Sequence, residues 1–228
     1  CVEFPSVAII EPYLFLNSSL TKLIISPSTI SIQSFAFYEC DSLKQISIPS
    51  SVFYIGDNAF ANSSLSQITF ESPSSITAIE YYTFYECYSL KQISIPSSVV
   101  TIKSSAFRKC SFLDQVTIPP SVTSMENFVF MECSSLTQIT IPSSMISIGS
   151  KAFYDCYSLR QILIPSCVKF IGEYAFCNCS SLTQVLFEDS SSLTAIKCYT
   201  FQKCKSLAQI SIPSSVTKIG NYSFLDCT

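Results

Sequence analysis

The sequence predicts an α/β solenoid with a parallel β-sheet along one face, short helical or 3₁₀ turns closing each coil, and about nine to ten coils. Three observations predict it. Leucines recur at Leu20, Leu43, Leu65, Leu90, Leu113, Leu136, Leu159, Leu182 and Leu207, spaced 22 to 25 residues apart and most often 23. Phenylalanines keep step with them, at Phe15, Phe37, Phe60, Phe84, Phe107, Phe130, Phe153, Phe176, Phe201 and Phe224. A third column runs Ile10, Ile32, Ile55, Ile79, Ile102, Met125, Ile148, Ile171, Ile196 and Ile219. One such unit has too few apolar side chains to bury its own face, so identical columns mean that coils stack and share a core.

The unit from Leu136 to Cys156 shows each element in turn. Leu136, Ile139 and Ile141 alternate with the outward Gln138 and Thr140, the period of a strand with one buried face. Pro142 ends that strand, because proline cannot donate to a central ladder. Ser143 and Ser144 turn the chain, and Met145 and Ile148 resume the apolar pattern. Gly149 permits a backbone geometry that a side chain resists, and Ala152-Phe153 with Cys156 complete the expected helical or 3₁₀ turn. With strands about 4.8 Å apart, ten coils make a solenoid on the order of 45 Å long.

All 228 residues belong to this one solenoid domain. Two periods carry two extra residues after the strand, near Phe70-Glu71-Ser72-Pro73 and Phe187-Glu188-Asp189-Ser190, and such insertions map to a loop face. Neither terminus carries a polar cap, so a fragment of a longer array is expected, or ends that pair with something, by end-to-end or edge self-association. Mean hydropathy is +0.39, but the apolarity is periodic and no run approaches the ~18 residues of a membrane span. Net charge is −3 without a basic cluster, which gives no footprint for nucleic acid.

Catalysis has little foothold. The chain contains no histidine and four glycines, which removes histidine-based nucleophilic triads and a glycine-rich phosphate loop. No cofactor or metal site is expected either: the twelve cysteines form no C-x-x-C pair. Cys40, Cys87, Cys110, Cys133, Cys156, Cys179, Cys204 and Cys227 recur three residues after a phenylalanine and read as small buried thiols. Cys1, Cys167, Cys177 and Cys198 fall outside that column, and Cys177 with Cys198 is where a disulfide would sit. Glu39, Glu86, Glu132 and Asp155, two residues past the phenylalanines, read as a solvated outer face.

Two surface columns are candidates for binding a partner. Gln45, Gln67, Gln92, Gln115, Gln138, Gln161, Gln184 and Gln209 occupy the outward strand position, either as amides hydrogen-bonded coil to coil or as a broad polar recognition face. Phe35, Tyr82, Phe128, Tyr174, Tyr199 and Tyr222, two residues before the phenylalanines, either pack between coils or present large recognition area at low entropic cost. Sequons at Asn17, Asn62 and Asn221 are candidate glycosylation sites; a fourth, Asn178, directly precedes a cysteine of the ladder.

The columns resemble a leucine-rich repeat. Leu90-Lys91-Gln92-Ile93-Ser94-Ile95-Pro96, followed by Val99, Ile102, Ala106-Phe107 and Cys110, is similar position by position to the BspA-like class of 23-residue repeats. The commoner loop asparagine is missing and a proline stands just beyond the strand, so an asparagine ladder is not expected. The resemblance implies a non-enzymatic adhesion module on a surface or secreted protein, binding host or matrix proteins. Unpaired ladder cysteines suit the alternative, a cytoplasmic scaffold.

Overall fold

The computed structural model describes residues 6–227, together with the backbone of Val2–Glu3. Cys1 lies outside the described residues. The chain winds as a parallel β-solenoid of about nine coils. Inward positions form one cluster that runs from Ile10 to Leu207 without a break between coils. Phe37, Phe60, Phe84, Phe107, Phe130, Phe153, Phe176 and Phe201 are fully buried at its centre. Their rings stack in series with centroids 5.0 to 5.7 Å apart, including Phe107 on Phe130 at 5.3 Å and Phe130 on Phe153 at 5.6 Å.

The expected sheet forms, but a second one accompanies it. The first ladder consists of two-stranded pieces: Val2–Glu3 with Leu23–Ile24, Gln45–Ile48 with Gln67–Phe70, Gln92–Ser94 with Gln115–Thr117, and Gln161–Ile164 with Gln184–Phe187. Equivalent residues pair, as in Gln92 with Gln115 and Gln161 with Gln184. The second ladder joins the isoleucine column in two-residue strands. It breaks into groups of three, five and two, between Tyr54–Ile55 and Ala78–Ile79 and again between Phe170–Ile171 and Ala195–Ile196. Both breaks fall on the coils that carry the two-residue insertions.

No helix forms among the described residues, so the expected helical or 3₁₀ turn is a correction. On either side of every core phenylalanine, two residues before and two after, the backbone is left-handed: Phe128 has φ 62° and Glu132 φ 64°, and the pattern holds at Phe35 with Glu39 and at Tyr174 with Asn178. A left-handed residue every fourth position stops helix propagation and leaves consecutive turns. The freed amides bond between coils. Phe128, Phe130 and Glu132 donate to the carbonyls of Ser150, Ala152 and Tyr154 in the next coil, at 2.9, 2.8 and 2.7 Å. This is a third hydrogen-bonded wall, made of turns.

The cysteine ladder completes that wall. Each thiol donates to the phenylalanine carbonyl of the preceding coil: Cys110 to Phe84 at 3.0 Å, Cys133 to Phe107 at 3.1 Å, Cys156 to Phe130 at 3.2 Å. Cysteine is the residue that fits because the site is buried, small and one donor short. Cys177 and Cys198 are both thiols, so the candidate disulfide does not form. Gly149 is needed for close approach and not for its φ, which is not positive. A Cβ there would collide with the Glu126 carbonyl of the neighbouring coil.

Candidate functional site

The strand pattern turns one side chain in two outward, and on the first ladder those side chains are glutamine, serine and threonine. Gln45, Gln67, Gln92, Gln115, Gln138, Gln161, Gln184 and Gln209 are all exposed. Among the described residues none of their amides makes a hydrogen bond to another side chain or to the backbone, and the same holds for Ser47, Thr69, Ser94, Thr117 and Thr140 beside them. Of the two expectations for this column, the coil-to-coil amide ladder does not form among the described residues. Neighbouring glutamines are held in register by their backbones, and their side chains extend into solvent. Gln138 also lies outside any strand, although Ile139 and Ile141 just after it remain buried.

Three shallow depressions run along this face. The first, about 560 Å³, is lined by Lys22, Ile24, Lys44, Gln45 and Gln67. A second of about 290 Å³ lies over Gln67, Gln92 and Gln115, and a third of about 550 Å³ over Thr137, Gln138, Arg160, Gln161 and Thr183. Each sits where one two-stranded piece of the ladder gives way to the next, so they are seams in the sheet. At the seams lie four exposed cations, Lys22, Lys44, Lys91 and Arg160, none in an ion pair among the described residues.

The aromatic column is brought together only in part. Tyr174 stacks on Tyr199 at 4.5 Å with rings 3° apart, and Tyr199 on Tyr222 at 5.2 Å. Lys151 occupies the column one coil earlier and places its ammonium 5.3 Å from the Tyr174 ring and 5.7 Å from that of Phe128. Phe35 stacks on Tyr13 at 5.1 Å. Tyr82 stands apart, in an edge contact with Tyr85, because the next position in the column is the buried Ser105. Stacking consumes both faces of Tyr199. What this column offers a partner is ring edges and hydroxyls.

The signature described as the BspA type leucine rich repeat region matches residues 8–127 and 100–228, in six copies. The chain belongs to this repeat family. The BspA-type repeat protein shares its fold with a leucine rich repeat protein of T. pallidum, at 25% identity and TM-score 0.68 over 86% of this chain and 80% of that one. A leucine-rich repeat protein of Bacteroides ovatus is 28% identical with TM-score 0.65, over 99% and 76%. A leucine rich cell surface protein of Faecalibacterium prausnitzii is 26% identical with TM-score 0.62, over 99% and 78%. No curated protein matches.

The carboxylate column of the BspA-type protein is not a solvated face. Glu86 accepts from Lys109 at 2.6 Å, Glu132 pairs with Arg108 at 3.5 Å, and Asp155 and Glu39 accept from Asn178 at 2.8 Å and Asn62 at 3.5 Å. Burial raises the Glu86 pKa, but hydrogen bonds from Lys109 and Tyr85 outweigh it and the carboxyl lies below its usual range. Of the sequons, Asn17 and Asn221 are exposed, while the amide nitrogens of Asn62 and Asn178 are engaged in those bonds. No helix of the described residues is long and apolar enough to cross a membrane, and they hold no cluster of side chains suited to a metal ion. The sequence reading passed over Lys22, Lys44, Lys91, Arg160 and Lys151; their signal was a recurring cation next to the glutamine column and one cation inside an aromatic column.

Proposed function

We propose that this protein is a non-enzymatic binding module that acts in adhesion at a cell surface or outside the cell, holding a host or matrix protein against its glutamine face. The observation that carries this reading is the row of outward amides and hydroxyls without internal partners. Donors and acceptors fixed in register by a rigid sheet meet a partner with little loss of backbone entropy, and repeat proteins use extended faces in this way. Gln92, Gln115, Gln138 and Gln161 form the centre of the contact, and the edges of Phe35, Tyr82, Phe128, Tyr174, Tyr199 and Tyr222 form a second surface. The cell-surface relative and the exposed Asn17 and Asn221 sequons, with Asn62 as a less accessible acceptor, support the extracellular placement.

The test is attachment of protein-coated beads to epithelial cells and to immobilised matrix proteins. Because the amides bond to nothing internal, Gln92→Ala/Gln115→Ala/Gln138→Ala/Gln161→Ala should keep the melting temperature while losing most of the attachment. Unchanged attachment would overturn the assignment of this face.

A cytoplasmic scaffold is the second reading, favoured by thiols at every described cysteine, with Cys167 exposed. Mass spectrometry of native material separates the two: glycan on Asn17 or Asn221 supports the surface protein, and glycan-free protein with all its thiols free supports the scaffold.

A further inference from the structure

We infer that the glutamine face binds a linear anionic polysaccharide, carboxylated or sulfated, lying along the solenoid axis with its charged groups at the seams of the first ladder. This rests on the reading of that face as the binding surface and adds the chemistry of what it grips, a polysaccharide carried by the host or matrix partner.

The first support is charge segregation. The chain carries a net charge of −3, with 13 lysines and arginines against 16 aspartates and glutamates. Yet the outward positions of the first ladder hold Lys22, Lys44, Lys91 and Arg160 against one carboxylate, Asp114, with Glu71 at the rim of the first depression. Elsewhere carboxylates outnumber cations, and three of those cations, Lys103, Arg108 and Lys109, are in ion pairs with glutamates. On this face the ammonium of Lys44 meets only the Asp41 carbonyl, at 3.1 Å. Unpaired cations on one face of an acidic protein attract an anionic partner over roughly a Debye length, about 8 Å at physiological salt.

Spacing is the second support. Lys22 and Lys44 lie on neighbouring coils, Lys91 two coils further on and Arg160 three beyond that. With coils about 4.8 Å apart, the cations are distributed along an extended line. That rise is close to the advance per residue of an extended β-linked hexose chain, so sugars and glutamine amides stay in step over several coils.

Surface chemistry is the third, and it favours a sugar over an acidic peptide. Of the nine outward positions equivalent to Ser94 six are Ser47, Thr69, Ser94, Thr117, Thr140 and Ser211, and only Ile24, Leu163 and Leu186 are apolar. Amides and hydroxyls both donate and accept, which matches sugar hydroxyls. An extended peptide gains its affinity by adding a strand to a sheet edge and its specificity from side-chain pockets. The glutamine face is a side-chain surface whose depressions are shallow seams.

The test measures binding of heparin and hyaluronan oligosaccharides by titration calorimetry at two salt concentrations, with neutral dextran, polyglutamate and a homopolymeric single-stranded DNA as comparisons. At least one anionic oligosaccharide should bind, more weakly at higher salt, and dextran should not. Reversing Lys22→Glu/Lys44→Glu/Lys91→Glu should weaken it by about tenfold or more, as lost charge complementarity typically does. The control Lys169→Glu/Lys197→Glu/Lys218→Glu makes the same change in net charge away from the face and should change affinity less than about twofold, as expected of charges remote from the contact. Absence of oligosaccharide binding, equal losses in both triples, or equally tight binding of polyglutamate or DNA would overturn the inference. The glutamine quadruple keeps this separate from the broader reading: lost cell attachment without oligosaccharide binding leaves the face as the binding surface and removes only the polysaccharide.

Discussion

Cys133 illustrates how this fold uses single residues. Its side chain is buried, its thiol bonds the Phe107 carbonyl of the preceding coil, and its own amide bonds the Phe130 carbonyl within the coil. Where the column lacks a cysteine, at Ser63, a buried serine takes its place. The flanking left-handed positions accept Asn, Asp, Glu, Lys, Ser, Tyr and Phe but no β-branched residue, as the backbone geometry requires. Lys203, exposed with φ 58°, tests this directly. Lys203→Val should cost about 1–3 kcal/mol in urea unfolding, and Lys203→Gly should be neutral or stabilising. These left-handed positions were hidden in the sequence, where the same column reads as one turn of helix; only the spacing of four between them marks the difference.

At the scale of elements, the phenylalanine stack and the turn wall are one device. Each ring is clamped by the rings before and after it, while the turns around it bond to the neighbouring coils. Phe130→Ala should therefore destabilise by about 3–5 kcal/mol, the range for truncating a buried phenylalanine. Phe224→Ala should cost clearly less, because Phe224 is only partly buried. Comparison of the two denaturation midpoints checks this. The first ladder behaves differently. Its strands were legible from the alternation of Gln92, Ile93 and Ser94, but its division into two-stranded pieces was not, and neither were the seams that follow from it. A seam is a gap in the strand pairing between coils that carry the same pattern, so no residue column announces it.

For the whole molecule, repetition turns a modest local effect into a steep collective one. Burial holds Cys110, Cys133, Cys156 and Cys179 well above the ordinary thiol value of 9.0 and pushes Cys87 up to about 11. A thiol whose pKa is raised on folding stabilises the folded state fully while both states stay protonated, and that stability is lost as pH rises past the unfolded value towards the folded one. Each such thiol takes away on the order of 1.4 kcal/mol per pH unit within that window. Denaturation midpoints should be flat through neutral pH and fall steeply above pH ~9, the onset of thiol ionisation in the unfolded chain. A Cys110→Ala/Cys133→Ala/Cys156→Ala variant should start less stable but decline less steeply; an unchanged slope would remove the thiols as the cause.

The sequence by itself determined the repeat, its length, the inward columns and the family, because stacking requires the same side chain at the same place in every coil and so writes itself as periodicity. Only the tertiary structure decided that the turns are left-handed and not helical, that the isoleucine column is a second sheet, and that the carboxylates pair between coils while the glutamines do not. The physical reason is that periodicity reports which side chains point inward. Hydrogen bonding between coils depends instead on backbone handedness and on offsets of a few ångströms, which leave the pattern of residues unchanged.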